Sequence, residues 1–132
     1  MAKALAQLID VLTLEPLGEN SFRGLGSSGD GAPGTYGGHF LGQATAAALA
    51  TVEPDRRLHS LHAYFLRGGT PGHSIDYEVT RIRDGRSFCT RRVVARQQGK
   101  DLFELSASFT VEASGRRLTS PPPVSYEALP SP

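Results

Sequence analysis

Small side chains dominate one segment of the chain, and they restrict what the rest can fold into. Five alanines lie between Phe40 and Val52, namely Ala44, Ala46, Ala47, Ala48 and Ala50. Alanine has the highest helix propensity, so we predict a helix over Gln43–Val52 that ends before Pro54. Because its side chains are small nearly all round, a β-sheet can wrap closely around such a helix.

Four strand-like segments follow this helix. In the last of them apolar and polar residues alternate, which is typical of a strand with one buried face. Asp84-Gly85 is a strong hairpin signal and Gln98-Gly99 is a weaker one. The C-terminal half is therefore predicted to be an antiparallel meander, with strands at Leu58–Leu66, Ser74–Arg83, Ser87–Gln97 and Leu102–Glu112.

Two elements and a glycine-rich loop precede the central helix. Leu5, Leu8, Ile9 and Leu12 recur with helical spacing and predict a helix over Ala2–Leu12. Leu17–Arg23 is predicted to be a short edge strand. Residues 24–38 contain seven glycines and are predicted to form a mobile loop. No Gly-Lys-Ser/Thr follows, so a phosphate-binding P-loop is excluded.

These elements together predict an α+β domain over residues 1–113 with a single hot-dog fold, in which a curved antiparallel β-sheet wraps a long central helix. Residues 114–132 are rich in proline and are predicted to be a tail or linker. An exposed edge strand invites pairing with another sheet. We therefore expect a homodimer or tetramer formed through sheet edges, or pairing with a second hot-dog chain.

Composition narrows the class of protein further. The 132 residues suggest one domain, and a net charge of +1 gives no general affinity for nucleic acid or membrane. No apolar run reaches the length of a membrane span and no secretion signal is present, so a cytoplasmic location is expected. The single cysteine, Cys89, allows no internal disulfide and is predicted to be a small core residue.

Basic residues are concentrated between Arg81 and Arg96. A solvated sheet face explains this concentration most simply. The alternative is a site for a phosphate-rich ligand such as coenzyme A.

The entry to the central helix has features that suit acyl chemistry. A helix start exposes unpaired N–H groups and the positive end of the helix dipole, and glycines let a ligand approach the backbone. The N–H groups of Gly38 and His39 could therefore hold a carbonyl oxygen as it gains negative charge. Alternatively, the glycines only make a tight entry to the helix. Gln43 could face the same site or be a buried amide that satisfies backbone groups.

Other polar residues are further candidates for the site. His39 could act as a general base. His59 and His62 are predicted to point to opposite faces of a strand, with His59 and Leu61 on one face, so a metal site is not expected. Ser87 and Phe88 could place a hydroxyl and a ring at a pocket, or they could simply start a strand in which Phe88 is a core residue. Asp84 is explained by its turn.

Several segments, in this order, resemble the acyl-CoA thioesterase II family, whose members carry two hot-dog domains and hydrolyse fatty acyl-CoA. The resemblance spans roughly residues 5 to 112 and covers Leu8-Ile9-Asp10-Val11-Leu12, Leu14-Glu15-Pro16-Leu17, Glu19-Asn20-Ser21-Phe22-Arg23-Gly24, Gly37-Gly38-His39-Phe40-Leu41-Gly42-Gln43-Ala44, His59-Ser60-Leu61-His62-Ala63-Tyr64-Phe65-Leu66-Arg67-Gly68, Arg83-Asp84-Gly85-Arg86-Ser87-Phe88-Cys89-Thr90-Arg91-Arg92-Val93 and Ser106-Ala107-Ser108-Phe109. The chain looks like the first of the two domains.

The resemblance also implies that this chain departs from the family's catalytic pattern. The catalytic Asp, hydroxy residue and Gln of the family belong to the second hot-dog. By the similarity of the two halves the Asp falls near Ser60, the Gln near Ser108 and the hydroxy residue within residues 84–87. Serine thus replaces the acid. This half is either part of a working thioesterase or a non-catalytic acyl-CoA-binding or assembly half, and a hot-dog hydratase is a weaker alternative.

The candidate residues fall into two groups, with no metal and no cofactor expected. The predicted catalytic residues are Gly38, His39, Gln43 and Ser60. The predicted residues that bind the acyl-CoA substrate are Tyr36, Gly37, Phe65, Arg67, Ser87, Phe88 and Ser108.

Overall fold

A computed structural model describes residues 2–28 and 37–111. Within them the chain forms two helices and six strands. In chain order these are α1 (Ala2–Leu12), β1 (Glu15–Pro16), β2 (Ser21–Gly24), α2 (Gly37–Leu49), β3 (Arg56–Phe65), β4 (Ile75–Asp84), β5 (Phe88–Gln97) and β6 (Lys100–Val111). Tyr36, most of the predicted glycine-rich loop and the predicted tail lie outside the described residues.

One antiparallel sheet contains all six strands. The strand order is β1-β2-β4-β5-β6-β3, so β3 lies at one edge although it precedes β4 in the chain. The helix α2 packs against β2, β4, β5 and β6. This is the predicted hot-dog architecture, with a curved sheet around a central helix.

The core lies between α2 and the face of the sheet that it covers. The helix buries Phe40 and Gln43 together with Ala44, Ala47 and Ala48. Strand residues alternate as predicted, with Phe103, Leu105, Ala107 and Phe109 of β6 buried against the helix. Small alanines let the sheet approach α2 closely, so large side chains from the strands fill the space. Cys89 is buried in this core, as predicted.

The central helix starts earlier than its composition indicates. It begins at Gly37, six residues before Gln43, and ends at Leu49 rather than Val52. Gly37 and Gly38 therefore lie inside the first turn and not ahead of it. Glycine has low helix propensity, but a helix end tolerates it. The N–H groups of Gly38 and His39 still belong to the first turn of the helix, where no intrahelical acceptor exists.

The turns of the two hairpins that follow β4 and β5 do not rank in tightness as their sequence signals rank in strength. Gln98 and Gly99 both have positive φ, 52° and 77°, which identifies a tight two-residue turn of the type that matches strand twist. Asp84, by contrast, is the last residue of β4, and the N–H of Gly85 donates to the carbonyl oxygen of Phe88 at 2.8 Å. The weaker sequence signal thus marks the tighter turn.

Two details of the strands correct the sequence interpretation. A strand, β2, forms within the predicted segment Leu17–Arg23 and extends to Gly24, but the prediction that it lies at the edge of the sheet is wrong. It lies between β1 and β4, and the short β1 is the edge strand. The pairing of β3 with β6 shifts register between Leu58 and Ser60, which leaves His59 in a β-bulge. A bulge breaks the two-residue alternation of side chains. This shift moves His59 away from the face occupied by Leu61.

The first helix forms as predicted, but its apolar stripe is not buried within this chain. Leu5, Leu8, Ile9 and Leu12 remain exposed. Its C-terminal end contacts α2, where Leu12 lies so close to Gly42 that a Cβ on Gly42 would be 2.8 Å from Leu12 Cδ2. Among the described residues, no helix is long and apolar enough to cross a membrane.

Candidate functional site

The first turn of α2 lies between two surface depressions. One has a volume of about 360 Å³ and is called here the mouth depression; it is lined by Gly37, Phe40, Phe65, Leu66, Arg67 and Gly68. The other has a volume of about 560 Å³ and is called the α1 depression; it is lined by Gln7, Asp10, Val11, Leu25, Gly26, Ser27, Ser28 and His39. The end of the helix with the positive dipole therefore faces open space on both sides.

Aromatic rings form the floor of the mouth depression. The Phe65 ring lies over Gly37, where a Cβ would be 3.0 Å from Phe65 Cε1. The same ring meets Phe103 edge-on with 5.1 Å between centroids, and Phe40 stacks on Phe103 at 5.7 Å. Three of the predicted substrate-binding residues, Gly37, Phe65 and Arg67, are thus brought together beside the helix start. An apolar chain fits against these rings.

On the other side of α2, His39 and Gln43 bind backbone groups. His39 Nε2 lies 2.7 Å from the carbonyl oxygen of Leu25, so Nε2 must carry the proton and donate. The amide nitrogen of Gln43 donates to the carbonyl oxygens of Val11 at 2.8 Å and Leu25 at 2.9 Å. Gln43 is fully buried. Both of its N–H groups are used to tie α1 and the segment after β2 to the helix.

Tyr77 completes this buried network. Its hydroxyl donates to Oε1 of Gln43 at 2.7 Å, and burial raises the pKa of Tyr77 far above its usual range. In the sequence, Tyr77 shares one face of the predicted strand Ser74–Arg83 with Ile75 and Val79, and nothing local indicates its contact with Gln43. The buried-amide alternative for Gln43 describes this geometry, whereas a role in catalysis would need one of these bonds to be released.

A second group of predicted residues lies on the opposite face of the sheet. Ser60 of β3 pairs directly with Ser108 of β6, and Ser108 pairs with Thr90 of β5. The bulge directs His59 to this outer face, where His59 Nε2 lies 2.7 Å from Ser108 Oγ. The predicted placement of His59 on the face of Leu61 is therefore wrong.

Phe88 belongs to this outer group as well. Its side chain is 52% exposed, so it is not the core residue that the simpler interpretation predicts. The ring lies 5.5 Å from that of His59. Ser87 precedes it at the same end of the sheet, and its carbonyl oxygen accepts from the N–H of Val111 at 3.2 Å.

The two groups do not form one site within this chain. Ser60 and Phe65 are five positions apart on β3, roughly 16 Å at the rise of a strand. Their side chains also leave the sheet on opposite faces, since Ser60 pairs with the outward Ser108 and Phe65 pairs with the buried Phe103. The predicted catalytic residues Gly38, His39 and Gln43 thus lie at the helix start, and Ser60 lies away from them.

The arginine-rich stretch is not a uniform solvated face. Arg91 is buried beneath the end of α2, and its Nη2 contacts Asp84 Oδ1 at 2.6 Å. Asp84 is therefore an ion-pair partner, and its explanation by a turn alone is wrong. Arg92 pairs with Glu104, and Arg96 pairs with both Glu78 and Asp101. In the described ranges, no group of three or more His, Cys, Asp or Glu residues could hold a metal ion.

Comparison with known proteins places this geometry in a family. A family model described as the N-terminal domain of acyl-CoA thioesterases matches residues 26–110. Acyl-coenzyme A thioesterase 8 of Mus musculus is 46% identical over 99 residues, which cover 75% of this chain and 31% of that protein. Acyl-CoA thioesterase 2 of Haemophilus influenzae is 38% identical over 115 residues, which cover 87% of this chain and 40% of that protein.

Solved structures support the same family and fold. The acyl-CoA thioesterase II TesB2 of Mycobacterium marinum has a TM-score of 0.77 and 39% identity, covering 94% of this chain and 46% of its own. The phenylacetic acid degradation protein PaaI of Thermus thermophilus has a TM-score of 0.71 at 15% identity, covering 80% of this chain and 99% of its own, and shows the shared fold alone.

The chain spans less than half the length of the two curated relatives described above, at 31% and 40%. The matched family model covers well over half of the chain, and both relatives align with three quarters or more of it. The chain therefore belongs to the acyl-CoA thioesterase family and corresponds to the N-terminal hot-dog domain of that family.

Proposed function

We propose that this chain is one hot-dog unit of an acyl-CoA thioester hydrolase that works with a second hot-dog unit. The observation that carries the proposal is the position of α2. Its first turn opens onto the mouth depression, whose floor is formed by the apolar rings of Phe65 and Phe40. An electropositive helix end beside an apolar crevice suits a thioester that carries a fatty chain.

The helix end can polarise the thioester. Hydrolysis passes through a tetrahedral intermediate in which the carbonyl oxygen gains negative charge. The N–H groups of Gly38 and His39 lie in the first turn and can donate to this oxygen. The positive end of the helix dipole adds to the stabilisation of this oxygen. The dipole is already oriented in the folded chain, so no group has to be reoriented during the reaction. Phe65 and Leu66 would hold the first part of the acyl chain against the helix start.

The water that attacks the thioester needs a base, and the described residues do not offer one at the mouth depression. None of the described residues that line it is a carboxylate. His39 lies on the other side of the helix turn, and its Nε2 donates to Leu25. At the positions where the family resemblance places the catalytic Asp and Gln, this chain has Ser60 and Ser108. We propose that the base comes from the second hot-dog unit.

The β3 edge is the place where the second unit would join. On one side β3 pairs with β6, and within the described residues no strand pairs with its other side. Leu61 and Phe65 remain exposed along it. An unpaired edge with apolar side chains favours strand addition. A partner at this edge would close the mouth depression and bring its own polar groups to the helix end.

A non-catalytic acyl-CoA-binding half is the second candidate function. Two observations favour it: Gln43 is committed to a buried network, and the Ser60 and Ser108 pair lies on the far face of the sheet. In that case the chain would bind acyl-CoA without hydrolysing it.

One experiment separates these functions. The purified chain is assayed for thiol release from acyl-CoAs of several chain lengths, and binding of the same acyl-CoAs is measured by calorimetry. Turnover by the assembled chain supports the hydrolase, and His39→Gln tests whether the imidazole contributes. Binding without turnover supports the non-catalytic half if turnover is still absent when a different hot-dog chain is added, whereas turnover that arises only in that mixture supports the hydrolase. Neither binding nor turnover with any chain length would overturn both.

A further inference from the structure

We propose that Arg67 and Lys100 bind phosphate groups of coenzyme A in a groove that continues from the mouth depression. This inference rests on the proposed function and assigns a part of the ligand to residues of this chain. It concerns the end of the ligand that is remote from the thioester.

We infer the groove from two depressions whose linings share two residues. A depression of about 540 Å³, called here the hairpin depression, is lined by Leu66, Arg67, Gly99, Lys100 and Asp101. Leu66 and Arg67 also line the mouth depression. The N–H groups of both residues donate to the carbonyl oxygen of Leu102, at 2.9 and 3.1 Å. The segment that leaves β3 is therefore fixed beside the start of β6, and the two depressions adjoin.

Charge distinguishes this groove from the ion-paired part of the sheet surface beside it. Arg23, Arg92 and Arg96 each have a carboxylate partner. Asp101, the one acid in the hairpin depression, accepts from Arg96 Nε at 2.7 Å. Arg67 and Lys100 have no carboxylate partner within residues 2–28 and 37–111. Among the described residues, the groove thus has two positive charges without a carboxylate partner at one end.

The position of Lys100 is set by rigid backbone. It is the first residue of β6 and follows the tight turn at Gln98 and Gly99, where both φ angles are positive. A two-residue hairpin turn has little conformational freedom. Lys100 is therefore held near Arg67 by the hairpin, and binding does not require a loop to become ordered first.

The chemistry of the groove matches a ligand with an apolar end and an anionic end. Phe40 and Phe65 line the apolar end, next to the start of α2. Arg67 can bind phosphate oxygens in a bidentate manner, and Lys100 adds a mobile point charge. In the arginine-rich stretch considered from sequence as a phosphate site, Arg91, Arg92 and Arg96 are already paired with carboxylates. The cations that line the groove, Arg67 and Lys100, lie at the end away from the rings.

The test measures binding of free coenzyme A by calorimetry at low salt. The double substitution Arg67→Gln with Lys100→Gln is expected to weaken binding at least about tenfold, because two charge-assisted contacts are lost. The affinity of the unmodified chain is also expected to fall as salt is raised, since the contacts are exposed. Circular dichroism and a thermal melt check that the variant folds.

A matched control removes two cations elsewhere. Lys3 and Arg86 also have no carboxylate partner among the described residues, and Arg86 lies at the other end of β5 from the Gln98-Gly99 turn. Lys3→Gln with Arg86→Gln should leave affinity unchanged. Equal binding by the Arg67 and Lys100 variant would overturn this site and leave the proposed function standing. No binding of coenzyme A or of any acyl-CoA by the unmodified chain would overturn both.

Discussion

The hydroxyl of Tyr77 donates a hydrogen bond of 2.7 Å to Oε1 of Gln43, and both side chains are fully buried. Gln43 in turn donates to the carbonyl oxygens of Val11 and Leu25. One side chain of the central helix therefore links the sheet, the first helix and the segment after β2. This makes Gln43 the polar centre of the fold.

Removing the tyrosine hydroxyl should destabilise the protein. In Tyr77→Phe the Gln43 oxygen stays buried but loses its donor, and we expect a loss of about 1–3 kcal/mol in the free energy of unfolding. Urea denaturation monitored by circular dichroism measures it. The exposed Tyr64→Phe is the control and should be neutral. A Tyr77→Phe variant as stable as the parent would show that this hydrogen bond has no net value.

Stability should also fall at high pH because of the same residue. Burial raises the pKa of Tyr77 in the folded protein, whereas an unfolded tyrosine titrates at about 10. The unfolded state therefore loses its proton first, and stability that is complete below about pH 10 falls above it, by up to about 1.4 kcal/mol per pH unit. Denaturation of the parent and Tyr77→Phe from pH 8 to 11 measures the difference between them. That difference should shrink above pH 10; a constant difference would contradict the prediction.

Gly24 should not tolerate a side chain. A Cβ at this position would lie 2.5 Å from Gln43 Oε1 and 2.7 Å from Nε2, atoms that hydrogen bonds hold in place. We expect Gly24→Ala to cost about 1–3 kcal/mol, as overpacked sites do. Gly18→Ala is the matched control, since nothing lies within 4 Å of its Cβ position. Equal stability of the two variants would mean that Gln43 can move at little cost.

Sequence patterns predicted the elements well and the polar contacts poorly, for a physical reason. Strand boundaries at β4 and β5 differ by one residue from the predicted ones, because alternation and turn residues are local signals. The bulge at His59 and the burial of Arg91 depend on partners far away in the chain. Gly37, Phe65 and Arg67 were predicted to bind the same ligand, and the fold brings them together. Ser60 was grouped with the helix start, but the resemblance contained no information on which sheet face it occupies.

Arg91 should be far more important for stability than its neighbour Arg92. Arg91 Nε donates to Thr51 Oγ1 at 2.8 Å and its Nη2 donates to the Thr51 carbonyl oxygen at 3.0 Å, near the end of α2, where a positive charge is favourable. Arg91→Ala removes the donor of the Thr51 carbonyl oxygen and leaves a cavity where the buried side chain was, and we expect a loss of about 2–4 kcal/mol. Arg92→Ala breaks only an exposed pair with Glu104 and should cost about 0–1 kcal/mol. Urea denaturation of both variants tests this; similar losses would show that the buried guanidinium is not specially stabilised.

The β3 edge should control assembly. Leu61 lies on this edge strand with its side chain partly exposed, and a lysine there would place a charge in any sheet that continues across the edge. We expect the parent chain to sediment as a dimer or larger species and Leu61→Lys to sediment as a monomer in analytical ultracentrifugation. Leu49→Lys introduces the same charge at a similarly exposed apolar position, but at the C-terminal end of α2 and not on a strand, and should leave the mass unchanged. A parent chain that is monomeric at tens of micromolar, or a Leu61→Lys variant that keeps the parent mass, would remove this edge as the place where the second hot-dog unit joins.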